Sequence, residues 1–415
     1  MNVLERDFFT DLELLQDPAP YYAGLRERGP IWREPHRGVF MLSGLEEILD
    51  FYAKGEDFSA IVSSFGPMIK LPEPDPGQSL AEMIERRRHE IPMGDQIIGL
   101  DPPRHTRHRA LVGKVFTPNR LKENEAFMWT LADGLIDELA DRGEVEFCAA
   151  YARPFTLLVI ADLLGVPREH HDTFRGWLGG EGGTAGDPQG RQRGDQVFAN
   201  LHPYFARYIE KRRASPGDDV MSQLARVRFP DGELPEVADV VRLATILFAA
   251  GQETTARLIS AGLRILAEQP ALAEELRRDP GTIPSFVEEC LRLEGPIKGT
   301  FRLALRNTTV AGVEVPAGAM VMAVIGAANR DPRVFEDPDR FDRKRSNARR
   351  NVAFGHGEHF CPGASLARAE ARISFERLLA RLDDFRLVDP GALSYAETFI
   401  IRGLNQLPLR FRRRA

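Results

Sequence analysis

The chain has 415 residues, 43% hydrophobic and 28% charged, a composition that excludes disordered, collagen-like and small disulfide-stapled proteins and allows a large buried core. Lys and Arg number 55 against 61 Asp and Glu, a net charge of -6, which excludes a dedicated nucleic-acid binder and leaves a small-molecule enzyme as the leading class. Cys148, Cys290 and Cys361 lie far apart and make neither a zinc pair nor a covalent haem-attachment site. The amino terminus, MNVLERDFFTDLELL, carries acids where an export signal needs a positive region, and no later stretch reaches about 18 uninterrupted apolar residues. A soluble cytoplasmic protein without membrane association is expected.

In chain order, residues 18–60 read as a small sheet region, with short runs such as Val39–Leu42 between Gly-Pro and Arg-Gly turns. Residues 65–95, rich in Pro, charge and Met, read as a long irregular, mobile segment. Amphipathic helices follow from 102 to 226, broken at 178–194 (LGGEGGTAGDPQGRQRG), where glycines argue for a mobile loop. Residues 235–268 form one helical pattern, opened by Pro235 and closed before Pro270, that is apolar on every face from Leu243 to Gly251 and is expected inside the protein. Next come a helix around 284–294, alternating strands, a Pro/Asp/Arg-rich meander at 331–346, a Gly-rich loop at 354–363 and a long helix at about 362–383. Arg410–Arg414 read as a terminal tail, and there are no internal repeats.

The loop FGHGEHFCPG places one thiol just before a helix. Glycines there allow backbone N–H groups to approach the sulfur, and the helix adds the positive end of its dipole. A lone cysteine is more often a buried free thiol. Here, however, Phe354, Gly355, Gly357, His359, Cys361 and Gly363 match F-G-x-G-x-H-x-C-x-G, and in this the chain resembles the cytochrome P450 family. The resemblance runs over essentially the whole chain. It implies one domain over 1–415, mainly α with small β-sheets: a β-rich part at about 18–60, a helical core at about 100–383, a long central helix over the haem and the cysteine loop on the proximal side. The implied cofactor is haem b, iron protoporphyrin IX, with the Cys361 thiolate as axial ligand and Phe354, Gly355 and Gly363 around it.

Other positions agree with that family. Glu289 and Arg292 resemble its E-x-x-R pair, with Arg340 as the candidate second arginine; all three are assigned structural roles, and Cys290 between them a packed core position. Ala250-Gly251-Gln252-Glu253-Thr254-Thr255 resembles its A/G-G-x-D/E-T motif. There Ala250 and Gly251 would lie over the haem, Thr254 would bond the Ala250 carbonyl and donate to bound oxygen, and Glu253 would relay protons. His105, Arg109, Arg302 and His359 are the implied donors to the haem propionates, while Arg107 and His108 are left to a solvated face. Leu247, Ala250, Ile297, Thr300, Ile400 and Ile401 are the pocket candidates; being mostly apolar, they imply a small or medium hydrophobic substrate. Lys298 is expected to point to solvent, with a substrate carboxylate as the alternative.

Thiolate ligation implies a monooxygenase that inserts one atom of O2 into a C–H bond, by hydroxylation or oxidative demethylation. No Rossmann fingerprint, flavin motif or iron–sulfur cysteine set is visible, so a separate ferredoxin and reductase are implied. Arg343, Lys344, Arg345, Arg349 and Arg350 read as the ferredoxin's docking face or as a solvated basic run. The rivals are a peroxide-driven enzyme, whose members usually lose the acid–alcohol pair, and a non-catalytic haem-thiolate sensor.

Overall fold

The 3.6-residue periodicity of the middle of the chain produces helices, and the longest of them organises the rest. In the computed structural model, which describes residues 2–178 and 188–414, the central helix runs Val237–Glu268, 32 residues, close to the expected bounds. It is buried almost continuously over Val240–Phe248 and again from Thr255 to Leu266. Between these stretches, Ala249–Thr254 is less covered, and Ala250 is exposed on a cavity. The helix packs against helices Arg153–Leu163, Pro188–Ala214, Ile283–Glu294 and Ala364–Arg381, so one core surrounds it, as its all-round apolarity requires.

A five-stranded sheet flanks this helical body. Its order is Ile31–Arg33, Phe40–Leu42, Met320–Ala323, Thr300–Ala304, Phe58–Ser59; only the second and third strands pair in parallel. The strand Thr300–Ala304 lies in register against Met320–Ala323, with Thr300 opposite Ala323 and Arg302 opposite Val321. That register delivers Thr300 and Arg302, two residues apart, to the same face of the sheet.

Several expectations need correction. The region 18–60 holds helices Ala19–Arg28 and Leu45–Ala53 as well as strands; Leu45, Ile48, Phe51 and Tyr52 are buried along one face of the second, a helical spacing the short strands obscured. Within 65–95 lies helix Leu80–Arg87, started by a capping box in which Ser79 accepts from the Glu82 N–H and Glu82 accepts from the Ser79 N–H. Of the 178–194 segment, 179–187 lie outside the described residues, while Pro188 opens a helix that continues to Ala214. Arg410–Arg414 is not a tail, because Pro408–Arg413 is the middle strand of a sheet between Glu144–Glu146 and Leu382–Leu387. Leu409 and Phe411 point inward and Arg410 outward to Glu144, the period-2 alternation of a strand.

Glu289 and Arg292 anchor the meander ahead of the cysteine loop. Both side chains are fully buried and joined by two parallel hydrogen bonds of 2.7 and 2.8 Å, the strongest arrangement an ion pair can take. Arg292 also donates to the carbonyls of Asn329, Pro338 and Arg340. The second arginine is Arg345, whose Nε donates to Glu289 at 3.1 Å. Arg340, the expected partner, offers only its carbonyl; its guanidinium is 66% exposed beside Asp337 and Asp342. The meander arrives with Arg340 turned outward, and Arg345, five residues on, turned in.

Arg292→Ala should lower stability by about 3–5 kcal/mol, because it strips the buried Glu289 carboxylate of its bidentate partner, whereas Arg340→Ala should stay within about 0.5 kcal/mol of the parent. Urea denaturation midpoints measure both; similar losses would contradict this assignment.

Candidate active site

A cavity of about 330 Å³ opens between the central helix and the cysteine loop, and it collects most of the residues singled out from the sequence. On one side stand Leu247, Ala250, Gly251 and Thr254 of the central helix. On the other stand Phe354, Gly355, His359, Cys361 and Gly363, with His105, Arg109 and Arg302 beside them and Ile297, Thr300 and Ile400 on the remaining wall.

The cysteine loop is shaped by its own main chain. The Cys361 N–H donates to the Phe354 carbonyl at 2.9 Å and the Gly355 N–H to the Val352 carbonyl at 2.9 Å. Gly355 and Gly357 both have φ of 70°, a left-handed conformation that other residues adopt at a cost, and a Cβ at Gly357 would come within 3.0 Å of the Tyr52 carbonyl. The Gly363 N–H reaches the Cys361 sulfur, and helix Ala364–Arg381 begins immediately after it. Burial raises the Cys361 thiol, while that N–H, Arg109 and Arg368 act in the opposite direction; a metal cation at the sulfur would take the thiolate outright. Cys148 and Cys290 differ in kind: both are buried in the core away from this cavity, with Cys148 against Ser260.

Across the cavity the Thr254 hydroxyl donates to the Ala250 carbonyl at 2.9 Å, the bond expected to loosen the helix ladder at this point. Gly251 is where the sequence motif places it. It lines the cavity beside Ala250, and a Cβ there would meet Ile160 of helix Arg153–Leu163 at 3.5 Å, an ordinary contact. Glu253 does not line the cavity; Arg257 holds its carboxylate at 2.6 Å.

Four nitrogen donors converge on the cavity. The His105 and His359 rings stack at 4.0 Å. Burial, with Arg109 and Arg302 adding repulsion, pushes His105 down to about 4, and burial with Arg302 and His105 holds His359 far below the usual range. The His359 Nε2 is buried without a hydrogen-bond partner. Arg109 and Arg302 donate to the carbonyls of Phe360 and Phe301, and no carboxylate of the described residues lies within 4.0 Å of either. Such a set fits a cofactor with two buried carboxylates. No group of three or more His, Cys, Asp or Glu among the described residues could hold a bare metal ion, so a single thiol in this cavity suits an iron whose equatorial ligands belong to its cofactor.

Several residues at the site carried no signal in the sequence. Ile97, Ile98, Val112, Phe116, Ile160 and Ile246 line the cavity as ordinary apolar residues from elements with no motif. Tyr52 bonds Thr300 across 2.8 Å between their hydroxyl oxygens. Glu370, also at the cavity, is fully buried without a cation; burial raises it well above the carboxylate range, opposed by a hydrogen bond to Thr255. Ile401 does not reach the cavity and instead forms a bridge with Ile297. Lys298 points neither to solvent nor into the cavity: it is 1% exposed and donates to the carbonyls of Leu15 and Thr398. Of the five basic residues before the loop, Arg343 pairs with Glu275, Arg350 with Glu46 and Arg345 is buried on Glu289, which leaves Lys344 and Arg349 exposed.

No helix of the described residues is long and apolar enough to cross a membrane. Residues 190–387 match the family profile described as cytochrome P450. Cytochrome P450 107B1 of Saccharopolyspora erythraea is 35% identical over 95% of this chain and 95% of its own. The vitamin D(3) 25-hydroxylase of Pseudonocardia autotrophica is 34% identical over 95% and 94%. Among solved structures, the substrate-free Mycobacterium marinum cytochrome P450 CYP150A6 superposes with a TM-score of 0.92 at 43% identity, covering 99% of this chain and 100% of its own. CYP109E1 of Bacillus megaterium, in complex with testosterone, gives 0.79 at 29% identity over 95% and 99%. With full-length likeness in sequence and backbone, and a thiol, a hydroxyl-bearing helix and four nitrogen donors around one cavity, the chain belongs to the cytochrome P450 family of haem-thiolate monooxygenases.

Proposed function

We propose that this enzyme transfers one atom of O2 into a C–H bond of a small or medium hydrophobic molecule, in hydroxylation or oxidative demethylation, with electrons from a separate ferredoxin and its reductase. The observation that carries the reading is the meeting of Cys361, Thr254 and the four nitrogen donors His105, Arg109, Arg302 and His359 in one largely apolar cavity. The haem, when bound, supplies dioxygen activation, and its thiolate ligand favours O–O cleavage. Cys361 would hold the iron, with its charge stabilised by the Gly363 N–H and by Arg109 and Arg368. His105, Arg109, Arg302 and His359 would take the propionates, which would remove the mutual repulsion among them. Thr254 would hold a proton above the metal, and Glu253, one residue back, would feed it on release from Arg257.

The walls select against polar substrates. Leu247, Ile297 and Ile400 present apolar surface, and the Thr300 hydroxyl is engaged by Tyr52, so orientation within the cavity rests on shape. Relatives that hydroxylate vitamin D(3) or were solved with testosterone and corticosterone support a hydrophobic substrate class. Docking of an acidic ferredoxin rests on Lys344 and Arg349, the two basic residues before the loop that are exposed without a carboxylate within 4.0 Å among the described residues. Cytoplasmic residence follows from that partnership.

The reduced, carbon monoxide-treated enzyme should show the red-displaced Soret band of an anionic sulfur ligand, and Cys361→His should lose the displacement while retaining colour; an unshifted parent would reject the reading. Thr254→Ala should divert electrons from product to peroxide, with a loss of product per NADH of about tenfold or more, and Glu253→Gln should do so less; unaltered coupling in Thr254→Ala would remove its role. Reversing both docking charges with Lys344→Glu and Arg349→Glu should slow reduction by limiting ferredoxin several-fold at low salt and little at high salt; a salt-independent loss, or none, would place the docking face elsewhere.

A further inference from the structure

Lys298 is a cation buried where a neutral side chain would be less costly. Its Nζ donates to the carbonyls of Leu15 and, at 2.7 Å, Thr398, and no carboxylate lies within 4.0 Å of it among the described residues. Burial lowers the ammonium to about 7, and Arg402 and Arg257 add repulsion. Methionine would fill much the same volume without desolvating a charge, but it would leave the Leu15 and Thr398 carbonyls without this donor, so volume alone does not account for a lysine here. What the ammonium holds together does.

Three segments meet at it, and two form the cavity wall. Lys298 sits in the stretch whose neighbours Ile297, Gly299 and Thr300 line the cavity. The turn Thr398–Ile401 brings Ile400 to the same wall: the Lys298 N–H donates to the Ile400 carbonyl at 2.8 Å, and Thr398 Oγ1 accepts from the N–H groups of Ile400 and Ile401 at 3.1 and 3.3 Å. The third is helix Leu12–Gln16, whose last carbonyls have no partner inside the helix; Lys298 takes that of Leu15, and Arg402 that of Gln16 at 2.9 Å. Main-chain bonds of the Ile297–Ile401 bridge, from the Lys298 N–H to Ile400 and from the Arg402 N–H to the Pro296 carbonyl at 2.8 Å, hold the far end of the turn. The ammonium holds its near end, at Thr398, and fastens it to the helix behind.

On the reading that this cavity receives the substrate, we propose that Lys298 is a positioning residue for specificity: by tying Thr398 and Leu15 to its own segment it sets how far Ile400 and Ile297 project into the cavity, and so which hydrophobic shapes are admitted. The residue acts through the wall and does not touch the ligand.

The test uses the haem-loaded full chain, the variants Lys298→Met and Lys298→Arg, and imidazole and N-decylimidazole as probes read by the Soret shift. Imidazole needs only the iron, whereas the decyl chain must run along the wall. In the Met variant, imidazole should bind as in the parent, the ratio of the two affinities should move by about tenfold, as a changed fit of one or more methylenes does, and amides of 396–402 should exchange about tenfold faster. The Arg variant, one atom longer and still charged, should shift the ratio while keeping the slow exchange. A parent-like ratio in either folded variant, or loss of the fold in both, would overturn the proposal. A parent that shows no imidazole shift at all would instead reject the haem-thiolate reading on which it rests.

Discussion

A cysteine sulfur can hold a metal at the floor of an apolar cavity only if its loop keeps the sulfur aimed inward when nothing but main chain supports it. Here that constraint is met by the bond from the Cys361 N–H to the Phe354 carbonyl, by two glycines in left-handed conformation and by the Gly363 N–H. The loop is held from behind by the Glu289–Arg292 pair. Arg292 gathers carbonyls from Asn329, Pro338 and Arg340, so a single buried guanidinium sets the path of the chain for the stretch before the loop. Losing either partner would leave a charge stranded in the core, which makes the pair far more costly to break than an exposed one of the same length.

The central helix answers the loop from the other side. It is buried along most of its length except over the few residues that meet the cavity and near its ends, and at the cavity it is altered twice: Thr254 bonds the Ala250 carbonyl, and Gly251 brings no side chain to the wall. A long helix that is regular everywhere else gives these small departures a fixed location, since its ends are clamped by packing along its whole length. The cavity is thus bounded by the central helix, the cysteine loop and a third wall, the turn around Ile400. Division of labour of this kind lets a family keep its chemistry and vary its substrates.

The sequence made the chemistry legible and the periphery much less so. Cys361, Thr254, His105, Arg109, Arg302 and His359 were readable because their roles need particular residue types at particular spacings, and all six line one cavity. The central helix was readable because 32 residues of helical pattern leave little room for another structure. Arg345 was missed because the choice between two arginines five apart depends on which turn of an irregular meander faces inward, and no local pattern encodes that. The capping box at Ser79 was present but masked by a Pro-rich stretch before it. The strand Pro408–Arg413 alternates properly, yet its three arginines, with Arg414 after them, dominate a composition-based reading. Lys298 shows the limit of residue-type reasoning most plainly, since an ammonium buried on two carbonyls is a tertiary arrangement with no precursor in the neighbouring residues.

That last strand has a consequence for how the molecule comes into being. It is the middle member of its sheet, and Arg410 meets Glu144, 266 positions earlier in the chain. During synthesis at about 5–20 residues per second, the early strand therefore waits for tens of seconds beside an empty seat. Until that seat is filled, the sheet beside the central helix has no middle, and the growing polypeptide must keep Val145 and Leu387 from sticking to strangers. The arginines that flank Leu409 and Phe411 carry like charges to the same place, a feature that discourages the late strand from pairing with copies of itself.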